Sequence, residues 1–375
     1  MSPASRTARW AALWRRASLS RSAAVRLLLP IAWLYGGLVR RRRRRYLASP
    51  ARVVRLPVPV IVVGNVVVGG AGKTPVTIAV IRHLQQRGRR PGLVSRGYGR
   101  RGDEVLLLPE QPDPARHGDE PTLIRLLTGV PACVGADRAA AAHRLLEACP
   151  EVDVVVCDDG LQHYGLARDL AIAVFDDRGV GNGWLLPAGP LREPWPPSDL
   201  DAFTPHVLLQ MALPGASVPP LEAPPRGMAV FHARRRLANV VHWADGRSSP
   251  LEELRGRAHT LVAGIARPEV FFDMVRARGL APSRHIALPD HAGAEALKGV
   301  LSALDGTILC TEKDAVKLFP WWRGQPGRER WQIGAIPLDT DIEPAFFALL
   351  DERVSTEAAP PATSALSSGH GHETA

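Results

Sequence analysis

The chain has 375 residues and a formal charge of +10, enough length for two domains and a substantial core. The first 50 residues hold 12 Arg, no Lys and no acid, so the remaining 35 bases face 37 acids and the body is near neutral, which argues against a nucleic-acid partner. Four scattered cysteines (133, 149, 157, 310) with no C-x-x-C exclude a zinc module or disulfide framework.

Residues 23–39, "AAVRLLLPIAWLYGGLV", form an apolar run broken by Arg26 and Pro30 and followed by Arg40–Arg45. A spanning helix needs about 20 apolar residues, so this stretch suits a helix lying in the bilayer interface better than one crossing it. It ends in arginines rather than in small residues, unlike a secretory signal. Trp33 and Tyr35 would sit at the headgroups, and the arginines would hold anionic lipid of the cytoplasmic leaflet. A solvated basic arm beside a buried helix is the alternative.

From residue 58 apolar runs alternate with helical patterns. "VPVIVVGN", "PGLVSRG", "PACVGA", "VDVVVCDDG" and "LAIAVFDD" read as strands; "TPVTIAVIRHLQQRG", "DEPTLIRLLTG" and "DRAAAAHRLLEAC" read as helices. This is an α/β pattern with a largely parallel sheet covered on both faces. The Pro-rich stretch 213–227 closes this half. Two strand-like runs, "GMAVFHARR" and "NVVHWADG", could pair as a ribbon, and a second βα set leads to a final helix near 342–352. The expected units are an N-terminal membrane-associated segment 1–50, a phosphate-loop domain 51–226, a ribbon 227–246, a smaller α/β domain 247–354 and a disordered tail 355–375.

"VVGNVVVGGAGKTP" (62–75) carries the chemistry. A phosphate loop needs glycines whose backbone N–H groups converge on the anion, a helix beginning there, a lysine for the β/γ-phosphates and a hydroxyl for Mg²⁺. Gly69, Gly70, Ala71 and Gly72 lie between a strand and a helix, and Lys73 and Thr74 open that helix. The usual spacing asks for glycine where Val67 stands, but Gly69-Gly70 can make the turn. Lysine is scarce, with 4 against 43 Arg, so its presence here carries weight. Asp158 and Asp159 end a buried strand at the carboxyl edge of the sheet, where nucleotide and metal bind, and are candidate Mg²⁺ ligands.

With these residues in place, the chain resembles the tetraacyldisaccharide 4′-kinases of lipid A biosynthesis from about residue 20 to about 350. Its motifs follow in order: "VGNVVVGGAGKTP", "SRGYGR", "GDEP", "GADR", "DDGLQH", "PAGPLREP", "AGIARPEVFF", "LPDH" and "TEKDAVK". The resemblance implies a P-loop NTPase-type parallel-sheet domain joined to a smaller α/β domain by a two-stranded hinge. It implies ATP and Mg²⁺ as cofactors and transfer of the γ-phosphate to an acylated glucosamine disaccharide 1-phosphate. The enzyme would work at the cytoplasmic face of the Gram-negative inner membrane, with no obligate protein partner evident. By motif, Asp119 is the base on the acceptor hydroxyl and His291 its partner, with Lys73 completing the catalytic set. Glu120 is a candidate for Mg²⁺, and Tyr98, Arg138 and Gln162 for nucleotide or substrate contact, with His163 positioning groups around the phosphates. "TEKD" is expected to fix the loop after a strand or touch the nucleotide. Asp119 could instead cap the helix that begins at "DEPT". A nucleotide-driven switch and a non-catalytic nucleotide-binding scaffold remain alternatives.

Overall fold

A computed structural model describes residues 19–355 apart from 71, 101, 198–199, 213–223, 225–226 and 291. The expected disordered tail and most of the Pro-rich stretch, together with Ala71 and His291, lie outside the described residues.

Among the described residues, the chain forms two sheets. The larger takes strands β1 (Val60–Gly64), β2 (Pro91–Ser95), β3 (Leu106–Leu107), β4 (Ala132–Val134), β5 (Val154–Asp158), β6 (Leu170–Phe175), β7 (Val207–Ala212) and β8 (Ala229–Leu237). A final strand, β15 (Leu338–Ile342), joins the β8 edge. The order is β15-β8-β7-β6-β1-β5-β2-β4-β3, parallel except at its two edges. Every residue of β1, β5 and β6 is buried, as parallel strands covered on both faces require. Side chains alternate between two cores: Ile61 and Val63 of β1 face one, Val60 and Val62 the other. The helix Lys73–Gln86 packs into the first core through Val76, Ile81 and Leu84; Arg138–Ala148 packs into the second through Ala141, Ala142 and Leu145.

The smaller sheet comprises β9 (Val240–Trp243), β10 (Ser248–Pro250), β11 (Thr260–Ala263), β12 (Arg284–Ala287), β13 (Gly306–Thr311) and β14 (Trp331–Ile336), ordered β10-β9-β14-β13-β11-β12. The helix Pro268–Ala277 covers one face with Phe271, Phe272 and Val275; Ala294–Leu301 and Glu312–Arg323 cover the other.

Two expectations are corrected here. The runs at 227–246 do not pair as a ribbon: β8 pairs with β7 and β15 in the large sheet, and β9 pairs with β10 and β14 in the small one. The chain passes between sheets twice, at Ala238-Asn239 and at Pro337, where Ala238 N–H donates to Pro337 O at 3.0 Å. Nor does the small unit run to 354. The helix Pro344–Ser355 returns to the large sheet and buries Phe346, Leu350 and Val354 in its core, each worth roughly 1.5–3 kcal/mol.

At the N-terminus, helices Ala23–Arg26 and Leu29–Leu47 dock on the large unit through Val25 and Ala32 against Ala188. The longer helix leaves Ile31, Trp33, Leu34 and Leu38 exposed. Among the described residues, no helix is long and apolar enough to cross a membrane. The six arginines are not all alike: Arg43 turns inward, binding Asp201 at 2.5 and 2.8 Å and Glu193 at 3.1 Å.

Candidate active site

The carboxyl ends of three adjacent strands meet at one cavity of about 530 Å³ between the sheets. From β1 comes the phosphate loop. Gly72 has φ +88°, a left-handed conformation that a side chain disfavours, and is the N-cap of the helix Lys73–Gln86. The positive end of that helix therefore opens on the cavity, which is lined by Gly69, Gly70, Gly72, Lys73 and Thr74. Lys73 is buried, its Nζ 3.4 Å from Asn65 Oδ1 and 3.6 Å from Asp159 Oδ1. Asn65 also donates to Gly69 O at 3.3 Å and so braces the loop.

The two carboxylates that end β5 have different environments. Asp158 is fully buried and accepts from Thr77 Oγ1 at 2.9 Å. Burial, with Glu120 adding to it against the pull of Lys73, pushes its carboxyl up to about 7. Asp159 adopts φ +49° and receives Arg192 Nη1 on both oxygens at 3.0 and 3.1 Å. Burial opposes its charge, but Lys73 and Arg192 outweigh that and hold its carboxyl below the usual range. Chemically, Asp159 is committed to the lysine and arginine beside it. Asp158 keeps a buried Oδ2 with no hydrogen-bond partner.

Opposite stands the acid pair that opens the helix Asp119–Thr128. Gly118, at φ +92°, turns the chain into that helix and is itself the N-cap, so Asp119 lies in the first turn rather than at the cap. Its Oδ2 accepts from Lys317 Nζ at 2.9 Å, and Lys317 also donates to Ala292 O at 2.9 Å. Glu120 accepts from Lys313 Nζ at 3.2 Å, which lies 3.6 Å from Asp290. Both lysines belong to the helix Glu312–Arg323 of the small unit, so the acids of one unit are held by cations of the other. The motif "TEKD" does fix its loop, because Asp314 accepts from Thr311 Oγ1 at 2.7 Å and from Gly264 N at 3.0 Å.

The expected contact residues divide. Tyr98 is exposed and lines the cavity. Arg138 is buried, with Nη1 donating to Ala136 O at 2.8 Å and Nη2 to Asp159 O at 3.3 Å, so it braces the acid loop. Gln162 donates to Asn65 O at 3.0 Å and accepts from Arg192 at 3.2 Å, tying the phosphate loop to the acid loop. His163 accepts from Arg138 N at 3.3 Å, and burial with Arg138 nearby lowers its pKa to about 4, so it is neutral. Asn65, Arg192 and Lys317 escape the sequence analysis as site residues, and Lys313 enters it only within "TEKD". The scarcity of lysine that singles out Lys73 was the signal available for the last two.

A divalent cation fits the oxygen chemistry. Mg²⁺ prefers one or two carboxylates plus substrate phosphates and water. Thr74 and Glu120 line the cavity, and Asp158 offers an unpartnered oxygen close enough to Glu120 for their charges to interact. Among the described residues, no group of three or more His, Cys, Asp or Glu is placed to hold a metal ion.

A phosphate loop on a parallel sheet, acids at its carboxyl edge and a second lobe reaching across the cavity define a P-loop phosphotransferase. The family model for tetraacyldisaccharide-1-P 4′-kinase matches residues 24–355. A tetraacyldisaccharide 4′-kinase of Polaromonas sp. (strain JS666 / ATCC BAA-500) is 50% identical over 364 residues, covering 96% of this chain and all of the relative. One from Polaromonas naphthalenivorans (strain CJ2) is 49% identical over 350 residues, covering 93% and 95%. The crystal structure of the "apo" form of LpxK from Aquifex aeolicus in complex with ATP superposes with a TM-score of 0.71 at 25% identity, covering 89% of this chain and 99% of that one. The chain belongs to the tetraacyldisaccharide-1-P 4′-kinase family.

Proposed function

We propose that the chain moves the γ-phosphoryl group of ATP to the 4′-hydroxyl of a tetraacyldisaccharide 1-phosphate, a step of lipid A biosynthesis. The observation that carries this is a buried Lys73 at a helix start that shares one cavity with Glu120, while Glu120 and its neighbour Asp119 are held by lysines of the opposite unit. Lys73 and the loop N–H groups hold the β- and γ-phosphates. Asp119, fixed by Lys317, takes the proton of the acceptor hydroxyl, with His291 as its partner. Thr74, Glu120 and Asp158 would hold Mg²⁺, while Asp159 sets Lys73 in place. When bound, the ion supplies positive charge to the phosphate oxygens. Because the acids and the lysines come from different units, closure about the two crossings at 238–239 and 337 is proposed to assemble the site.

The N-terminal helix is proposed to rest on the cytoplasmic leaflet of the inner membrane through Ile31, Trp33, Leu34 and Leu38. Arg40, Arg41, Arg42, Arg44 and Arg45 would meet anionic headgroups, and Arg43 would anchor the helix to the enzyme. The experiment is ATP consumption with and without the acylated disaccharide. A kinase needs the acceptor; equal hydrolysis without it would favour a nucleotide-driven switch.

A further inference from the structure

Besides Arg192, which holds Asp159, three further arginines gather around the phosphate loop, and two of them are engaged. Arg178 grips Asp176 with Nε at 3.0 and 2.9 Å and Nη2 at 2.7 Å. Arg267 pairs with Asp177 and lies 3.7 Å from Asp176 and 3.6 Å from Glu269. Arg235, on β8, differs. Its guanidinium lies so close to Gly72 that a Cβ there would overlap it. Its Nε and Nη2 atoms are shielded from solvent and have no hydrogen-bond partner among the described residues. Burial drives its pKa down, with Asp176 the largest opposing influence.

A guanidinium edge removed from water without a partner is costly, so its persistence points to a ligand. The two orphaned atoms are not a random pair. Nε–H and Nη2–H run side by side and form one of the edges by which arginine grips two oxygens of a phosphoryl group. Arg235 also lines the cavity that holds Gly69, Gly72, Lys73 and Thr74. We propose that Arg235 is a ligand of the β/γ end of the nucleotide, its Nε/Nη2 edge binding two phosphoryl oxygens beside Gly72. This rests on the assignment of the cavity as the nucleotide site. β8 leads directly out of the large sheet toward the small one, so this contact fastens the nucleotide to the connection between the two units.

The test is calorimetric titration of ATP, ADP and AMP, with Mg²⁺ present, into the full-length wild type, Arg235→Gln, Arg235→Lys and Lys73→Met. Arg235→Gln should weaken ATP about 10- to 100-fold and leave AMP unchanged, the loss of a charge-assisted pair. Arg235→Lys keeps the charge but loses the fork and should weaken ATP roughly 3- to 10-fold. The readout is the ratio of ATP to AMP affinity, which a merely structural arginine would not move. A wild-type ratio in Arg235→Gln, while Lys73→Met loses ATP, overturns the proposal and leaves the site standing. If Lys73→Met also binds ATP normally, the nucleotide site itself is misassigned and the proposal falls with it. Should Arg235→Gln fail to fold, a wild-type ratio in folded Arg235→Lys overturns the proposal equally.

Discussion

Replacing Asp158 by Asn should make the metal-free, nucleotide-free protein more stable at neutral pH while removing its activity. Asp158 has no exposed surface, and its carboxyl titrates near 7 because burial, with Glu120 adding to it, disfavours the charge more than Lys73 restores it. In the unfolded chain the same group titrates at about 3.9. Between these values the folded protein holds a proton that the unfolded chain has lost. The stability contribution is therefore complete below about pH 4, falls as pH rises through the window by at most about 1.4 kcal/mol per unit, and levels above 7. Summed over the window, the upper bound is about 4 kcal/mol. Asparagine never charges and keeps the acceptor that Thr77 Oγ1 reaches at 2.9 Å. Its amide occupies the place of Oδ2, which has no partner in the wild type, so that burial cost is common to both. The two proteins should match near pH 4 and separate by a few kcal/mol at pH 8. Urea unfolding in chelator at steps from pH 4 to 8 measures the difference, and Glu312 and Asp314, whose pKa values burial also raises, cancel in it. Parallel profiles for the two proteins across the whole range would refute the reasoning.

Lys73→Ala should lower turnover by several orders of magnitude with the fold intact; near-normal turnover in the folded variant would remove the loop from the mechanism. Lys317 and Asp119 meet at 2.9 Å with side chains only 6% and 13% exposed, so in a double-mutant cycle of Lys317→Met and Asp119→Asn the stability losses should couple by roughly 1–3 kcal/mol. Simple additivity would mean that the pair is not formed in solution. Changing Ile31, Leu34 and Leu38 together to Ser should reduce co-sedimentation with anionic vesicles and leave ATP binding intact, and undiminished sedimentation would place the membrane contact elsewhere.

The large sheet was legible because strands buried on both faces read as unbroken apolar runs, and "VPVIVVGN", "VDVVVCDD" and "LAIAVFDD" are such runs. The phosphate loop was legible because lysine and threonine at a helix start have a chemical reason to be there. Pairing partners were less accessible. β8 and β9 are adjacent in sequence, yet β8 takes its outer neighbour from β15, about a hundred residues on, and nothing local announces that. The arginine run shows the same limit: six identical side chains in a row do not reveal that Arg43 meets Asp201 and Glu193 while its neighbours face solvent. Likewise, the partnership of Lys317 with Asp119 joins residues 198 positions apart and exists only once the two units meet.

The two crossings between the sheets lie side by side, and Leu237 stands directly opposite Leu338 in the ladder of β8 and β15. The small unit is therefore a domain insertion: everything from 238 to 337 leaves and re-enters the large unit at neighbouring points of one strand pair. Excising that span and joining Leu237 to Leu338 through a two-residue Asn-Gly turn would convert β8 and β15 into a hairpin. The core packing of Phe346, Leu350 and Val354 would be left undisturbed. Such a trimmed protein should fold and retain the phosphate loop while lacking Lys313 and Lys317. The architecture can thus be regarded as a phosphate-loop sheet carrying one insertion, residues 238–337, that brings Lys313 and Lys317 to the acids of the large unit.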